Sequence, residues 1–145
     1  MNMNLYLFEI DKHWNWFKDR APTVLTEDLG GFIVIDDDTG TPQAAYVLSD
    51  WTATSCVLSV VVNNPLALRH GIMEVAADFV FNVSDRLKII ARVSSGNKKS
   101  LKFTRSAGFV ELFRIKDGFD IGEDIILFEL TKENCRFLKK LKEVA

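Results

Sequence analysis

The chain gathers positive charge in one short segment. Between residues 92 and 105 it carries five cations: Arg92, Lys98, Lys99, Lys102 and Arg105. Guanidinium and ammonium groups at this density can bind phosphate through charge-assisted hydrogen bonds. They are equally typical of a solvated helix face, because lysines are common at exposed helix positions. The sequence leaves both interpretations open.

Other residue types with chemical potential are scattered. His70 precedes a glycine at a predicted helix start, where it is either a base, a phosphate partner or a surface residue. The run Asp36 to Asp38 lacks further oxygen ligands at EF-hand spacing, so it is interpreted as a solvated hairpin turn and no metal site is predicted. His13 is interpreted as structural or exposed.

The cysteines and tryptophans favour packing roles. Cys56 and Cys135 make no disulfide framework, and neither lies at metal-ligand spacing from another cysteine or a histidine. Cys56 sits in an apolar run with no adjacent base and is predicted to be a small buried hydrophobe. The three tryptophans either line an acceptor pocket or pack in the core (Trp14, Trp16 and Trp51).

Length and composition limit the class of protein. With 145 residues, 48% of them hydrophobic, and a formal net charge of -2, we expect a single globular domain spanning residues 1–145. A chain this close to neutral is not typical of a general nucleic-acid or anionic-membrane binder. The first residues lack the pattern of an export signal, and no run approaches the roughly 18 apolar residues of a membrane span. We therefore expect a cytoplasmic protein without a membrane partner.

The hydrophobic pattern predicts alternating strands and helices. Apolar runs predict strands at 5–10, 32–37, 43–51, 55–62, 86–93, 109–115 and 124–130. Helical spacing predicts helices at 11–20, from Arg69, from Asn97, and from Thr131 through residue 144. The core face of the second helix is predicted to consist of Ile72, Val75, Ala76, Phe79 and Val80.

The run SCVLSVVV is predicted to form the central strand of the sheet, buried on both faces. The helix and strand that follow it make a crossover unit, which implies that its two strands are parallel neighbours. The predicted fold is α/β: a mixed, mostly antiparallel sheet of about seven strands with helices on both faces.

The order of elements and one motif resemble the Gcn5-related N-acetyltransferase (GNAT) superfamily. In that family an Asn follows the fifth strand, a small residue lies three positions on, and Gly-Phe follows at positions eleven and twelve. Here these residues are Asn97, Ser100, Gly108 and Phe109, without a gap. The resemblance implies a central parallel pair of strands that splay apart around a coenzyme A thioester.

A second motif matches in spacing but not in residue type. The family places a glycine six residues after a proline, with a valine just before, and Pro65 and Gly71 fit this spacing with Val61 or Val62 nearby. The pyrophosphate loop of the family, Gln/Arg-x-x-Gly-x-Gly/Ala, meets Leu68 and Met73 here. Many members also carry a Tyr seven residues after the Asn, and this chain has Thr104 there.

The resemblance implies transfer of an acyl group, normally acetyl, from acetyl-CoA to an amine. The residues it places at the coenzyme are Val62, Arg69, His70, Gly71, Ile72, Met73, Asn97 and Ser100. A helix N-terminus offers backbone N–H groups to the pyrophosphate, so the turn at 69–72 can serve even with a poor motif. The cations at 92–105 would then meet the phosphorylated nucleotide end.

Two other functions stay open. The departures at Leu68, Met73 and Thr104 favour a non-catalytic binding or structural protein, similar to the small GNAT-like proteins of tailed phages. A nucleic-acid module built on the basic segment is disfavoured by the overall charge. No catalytic residue and no acceptor amine is predicted.

Overall fold

The computed structural model of the chain describes residues 1–21 and 23–139. Its strands are β1 (Met3–Leu7), β2 (Gly30–Asp36), β3 (Thr41–Ser49), β4 (Ser55–Val62), β5 (Lys88–Ser94), β6 (Val110–Asp120) and β7 (Glu123–Thr131). Its α-helices are α1 (Ile10–Lys18), α2 (Ile72–Asp78) and α3 (Lys98–Ser106). The strands form one seven-stranded sheet in the order β1-β2-β3-β4-β5-β7-β6.

The sheet is antiparallel except at its centre, where β4 and β5 are parallel. The crossover through α2 makes this pairing possible, because parallel neighbours need a long connection. The prediction of a mixed sheet of about seven strands with a central parallel pair is confirmed.

Two apolar clusters show that helices cover both faces of the sheet, as predicted. Phe17 of α1 packs with Ile33, Val47 and Val61 on one face. The other face carries Leu48, Leu58 and Val93 together with the buried residues of α2 and α3. The connection from β4 to β5 through α2 and the connection from β5 to β6 through α3 both lead in the same direction across the sheet. Because such connections are right-handed, α2 and α3 lie on the same face.

The strand predicted to be buried on both faces is only half buried. Along β4, Cys56, Leu58 and Val61 are buried, whereas Ser59 and Val60 are partly exposed. The prediction from apolar composition that β4 is buried on both faces was wrong, because part of β4 borders an open gap instead of a neighbouring strand.

The helix predicted from Arg69 is divided into three parts. A 3-10 helix spans Pro65–His70, α2 follows, and a π-helical turn spans Phe79–Val83. The buried face of α2 consists of Ile72, Met73, Ala76 and Ala77 and so is rotated from the predicted one: Val75 is partly exposed, and Phe79 is 44% exposed and packs edge-on against Trp51. Placing Phe79 on the core face was therefore wrong.

Element ends also differ from the predictions. Strand β1 begins at Met3 and α1 ends at Lys18, before the predicted stop at Pro22, which lies outside the described residues. Thr131 is the last residue of β7 and does not open a helix, because it pairs with Lys88. Helical turns follow at residues 136–139, and the rest of the predicted terminal helix lies outside the described residues.

Strand β6 forms one edge of the sheet, and all its residues are exposed. In the described part of the chain, no helix is long and apolar enough to cross a membrane.

Candidate functional site

A gap opens where the two central strands separate. Parallel pairing of β4 with β5 covers only Ser55 to Val57, opposite Lys88 to Ile90. Both strands then continue, to Val62 and to Ser94, and no further pairs join them in the described structure. Backbone N–H and C=O groups on the facing edges are left free to bind a ligand, since buried backbone groups need hydrogen-bond partners.

The gap leads into a cavity of about 690 Å³. Its walls come from the end of α1, the middle of β4, the second half of β5, the start of α3 and the β6–β7 hairpin. Leu58, Ser59 and Val60 supply the β4 wall, and residues 91–94 supply the β5 wall. A concave site of this size, whose walls combine apolar side chains with many polar and charged ones, suits a polar small-molecule ligand.

The start of α3 is held by its own cap. The side-chain oxygen of Asn97 accepts a hydrogen bond from the backbone N–H of Ser100 at 3.0 Å, so an orphan donor of the first turn is satisfied. Asn97 and Ser100 both line the cavity, next to Lys98 and Lys99. Because the cap uses only the oxygen of Asn97, its amide nitrogen remains available to a ligand.

The predicted pyrophosphate turn lies outside the cavity walls. Val62 and residues 69–73 do not line the cavity, although Asn97 and Ser100 do. Arg69 and His70 are exposed, and Gly71 takes a left-handed conformation with φ of 74° between the 3-10 helix and α2. The structure therefore brings together only part of the predicted set.

The side chains of Met73 and Glu74 make this turn differ from the pyrophosphate loop of the family. Met73 is 3% exposed and packs in the core with the other buried residues of α2, so it does not project toward a ligand. One carboxylate oxygen of Glu74 is buried without a hydrogen-bond partner among the described residues. It lies 4.0 Å from the position that a Cβ on Gly71 would occupy, so an acidic oxygen, and not a phosphate-binding donor, lies beside the predicted phosphate site.

Neither cysteine has the surroundings of a nucleophile. Cys56 and Cys135 are both free and buried. Burial raises the pKa of the Cys56 thiol to about 12, and it also raises the pKa of Cys135. The thiolate, which is the reactive form, is thus disfavoured at both positions.

The tryptophans and histidines lie away from the cavity walls. Trp51 lies beneath the guanidinium of Arg86, with 5.3 Å from that group to the ring centre. His13 accepts a hydrogen bond at Nδ1 from the backbone N–H of Glu9 at 2.9 Å, which makes it a structural residue of α1. Across the described ranges, no group of three or more His, Cys, Asp or Glu side chains is placed to hold a metal ion.

Sequence reasoning missed the part of the cavity that comes from distant elements. Lys18 ends α1 and Arg20 lies just after it, while Phe119 and Glu123 belong to the β6–β7 hairpin. No motif joins these residues, which lie about a hundred positions apart in the sequence. Only the strand order brings them to one gap. Thr104, singled out because a Tyr was expected there, is 5% exposed and does line the cavity.

The central splayed pair, the crossover through α2 and the cavity between β4 and β5 define the fold of the Gcn5-related N-acetyltransferases. Solved structures support this. The spermidine/spermine N-acetyltransferase SpeG from Vibrio cholerae, in complex with manganese ions, is similar with a TM-score of 0.70 and 14% identity, over 99% of this chain and 98% of that chain.

A second solved structure, the ribosomal-protein-S5-alanine acetyltransferase from Vibrio fischeri, is similar with a TM-score of 0.62 and 19% identity, over 75% of this chain and 64% of that chain. No family model matches the chain, and no curated protein matches its sequence. At these identities the likeness establishes the fold.

Proposed function

We propose that the chain is an N-acyltransferase that moves an acyl group, most simply acetyl, from a coenzyme A thioester to an amine. The observation that carries this proposal is the cavity formed where β4 and β5 separate. The similarity in fold to two acetyltransferases supports it.

The residues around the cavity suit a coenzyme A thioester. The free edges of β4 and β5 offer backbone hydrogen bonds to an extended amide-containing arm. The ammonium groups of Lys98 and Lys99 lie at the α3 side of the cavity, where they can bind phosphate groups. The amide nitrogen of Asn97 adds a donor on the same side. We place the turn at 69–72, with Val62, at the outer end of this path.

The chain itself contributes positioning more than covalent chemistry. A thioester is already activated, so holding the amine and the carbonyl carbon in contact supplies most of the needed acceleration. A backbone N–H on the free edge of β4 can donate to the carbonyl oxygen as negative charge develops there. Apolar walls at Leu58 and Phe109 limit access of water to the reacting atoms.

A calorimetric titration with acetyl-CoA tests this proposal. In the Ser59→Trp variant a bulky ring projects from the β4 wall of the cavity, so we expect binding to weaken by at least tenfold. The matched control is Ser106→Trp on the exposed end of α3, outside the cavity walls, which should bind as the unmodified chain does. An unmodified chain that binds no acetyl-CoA would favour the non-catalytic alternative.

A further inference from the structure

The charged side chains around the cavity fall into two groups on opposite faces of the sheet. Lys98 and Lys99 begin α3, which lies on the same face as α2. Lys18 is the last residue of α1 and Arg20 lies just after it, and α1 packs on the opposite face with Ile33 and Val61. The cavity is therefore open to a different set of cations from each face.

Strand β5 adds one more cation to the α1 face. Side chains alternate between faces along a strand. Ala91 and Val93 belong to the core on the α3 face, so Arg92 points to the α1 face, where it is exposed and lines the cavity.

A carboxylate completes this group. Glu123 precedes Ile125, which pairs with Ser94 in the antiparallel register of β5 and β7. By the same alternation Glu123 and Ser94 share the α1 face, and the Ser94 hydroxyl lies 3.4 Å from the Glu123 carboxylate. Glu123 is partly buried against the cavity.

The mouth of the cavity on the α1 face thus holds three cations, Lys18, Arg20 and Arg92, and two carboxylates, Asp19 and Glu123. None of the five takes part in an ion pair with another described residue. The guanidinium of Arg20 is kept in place by the carbonyl oxygen of Trp16, at 2.7 Å, and by the Trp16 ring. Positive charge therefore exceeds negative charge where an acceptor would enter.

We propose, on the basis of the acyl transfer proposed above, that the acceptor is an amine that also carries an anionic group. Lys18, Arg20 and Arg92 bind the anionic group, and Glu123 receives the amine. A polyamine would bring several positive charges to a mouth that is already positive, and like charges at these distances oppose binding. The acceptor class differs in this respect from the spermidine and spermine named for the Vibrio cholerae neighbour.

The same placement makes Glu123 the base of the reaction. Its carboxylate takes one proton from the ammonium group, and the free amine nitrogen then forms a bond to the thioester carbonyl carbon. The carbon–sulfur bond breaks, and the departing thiolate takes the second proton that the new amide nitrogen releases. One amide, one thiol and one proton on Glu123 result, so atoms and charges balance.

The acceptor class is tested with three probes and acetyl-CoA. Alanyl-glutamate carries a free amine and two carboxylates. Alanyl-glutamine amide keeps the amine and nearly the same shape but has neutral amides in place of both carboxylates, and spermidine is a polycation. We expect kcat/KM to be highest for alanyl-glutamate. The double variant Lys18→Glu and Arg92→Glu should lower its kcat/KM by roughly tenfold per charge. Lys102→Glu, the same substitution as at Lys18 but outside the cavity walls, should leave kcat/KM unchanged.

The possible results separate this inference from the proposed function. If acetyl-CoA binds and spermidine is the best acceptor, the anionic-acceptor inference is overturned while acyl transfer stands. If acetyl-CoA does not bind and no probe is acetylated, both are overturned.

The role of Glu123 has its own test. Glu123→Gln should lower kcat about a hundredfold or more, the usual contribution of a general base, with the acetyl-CoA affinity unchanged in calorimetry. The rise of kcat with pH on the acid side should disappear in this variant. Normal turnover with an unchanged pH profile would remove Glu123 from the reaction.

Discussion

At the scale of single residues, Met73 decides how the turn before α2 should be understood. The family resemblance places it where a glycine would let phosphates approach the backbone, yet its side chain is 3% exposed and lies in the main core cluster. A methionine fills irregular space in a core through its flexible thioether. Met73 therefore contributes to packing, and its side chain does not block a ligand.

Replacing Met73 should cost stability without improving ligand binding. Met73→Ala removes a buried side chain, so we expect the free energy of unfolding to fall by about 2 to 5 kcal/mol. Acetyl-CoA affinity should stay the same. Chemical denaturation and an acetyl-CoA titration on the same samples measure both quantities. Leu66→Ala, at a 51% exposed position in the adjacent turn, is the control and should lose much less. A tighter acetyl-CoA complex in Met73→Ala would contradict this account.

The motif predicts a glycine at position 108, but the sequence does not reveal why a side chain is excluded there. The spacing from Asn97 identified it, but the structure shows why a side chain is excluded there. A Cβ on Gly108 would lie 2.0 Å from the backbone oxygen of Asn134, and φ is 107°. The C-terminal turn thus packs directly on the motif glycine, a long-range contact that local spacing does not reveal.

At the scale of elements, hydrophobic periodicity was enough to predict the strands and the parallel pair. It could not predict how far β4 and β5 pair, because an apolar run is the same whether it faces a strand or a cavity. It also mistook which face of α2 is buried, so it did not predict that Phe79 is exposed. At the site, Asn97 and Ser100 were found because a local motif marks them. Lys18, Arg20 and Glu123 were missed because only tertiary structure assembles them.

The first turn of α1 depends on a neutral histidine. Glu9 is the N-cap residue and makes no side-chain cap. Instead its backbone N–H donates to Nδ1 of His13 at 2.9 Å. Burial lowers the pKa of His13 below its ordinary value of 6.5. Protonation would place a hydrogen on Nδ1 and break this bond, so the bond contributes to the stability of α1 only while His13 is neutral.

We therefore expect His13 to make the protein less stable in mild acid. The pKa of His13 is lower in the folded state than in the unfolded chain. Its contribution to the free energy of unfolding is therefore present above about pH 6.5 and is lost as the pH falls through the pKa of the folded state. The loss should be on the order of 1 kcal/mol, the worth of one hydrogen bond.

Urea denaturation at pH 7.5 and at pH 5.5 measures this loss. His13→Gln should be less stable at pH 7.5 and should lose less on acidification than the unmodified chain. His70→Gln, at the exposed second histidine, should retain the full pH dependence. Equal pH dependence in the two variants would refute the role of His13.

At the scale of the whole molecule, charge is unevenly placed. The formal net charge is -2, yet among the described residues five cations and two carboxylates line the cavity. The negative charge that balances them lies elsewhere, as at the Asp36 to Asp38 turn, where Asp37 accepts hydrogen bonds from Asn4 and Tyr6. A nearly neutral protein can thus attract anionic ligands to one place without a basic surface overall.

The whole core also carries a second kind of pH dependence, on the alkaline side. Cys56 is 0% exposed and Tyr46 is 1% exposed. Burial raises the pKa of Cys56 from 9.0 to about 12 and also raises the pKa of Tyr46 above its ordinary value of 10.0. The folded protein therefore holds two protons that the unfolded chain releases at lower pH.

This difference predicts how global stability changes in base. The contribution of Cys56 is complete below pH 9 and is lost as the pH rises from about 9 toward 12, because only the unfolded state gains from losing the proton. Guanidinium denaturation at pH 8.0 and pH 10.5 should show a fall in the free energy of unfolding. The Cys56→Ala variant should be less stable at pH 8.0, yet its free energy of unfolding should fall less between the two pH values. Val47→Ala removes buried volume without removing an ionisable group, so it should lower stability equally at both. If Cys56→Ala and Val47→Ala fall in parallel with the unmodified chain, the buried thiol does not control the alkaline limit.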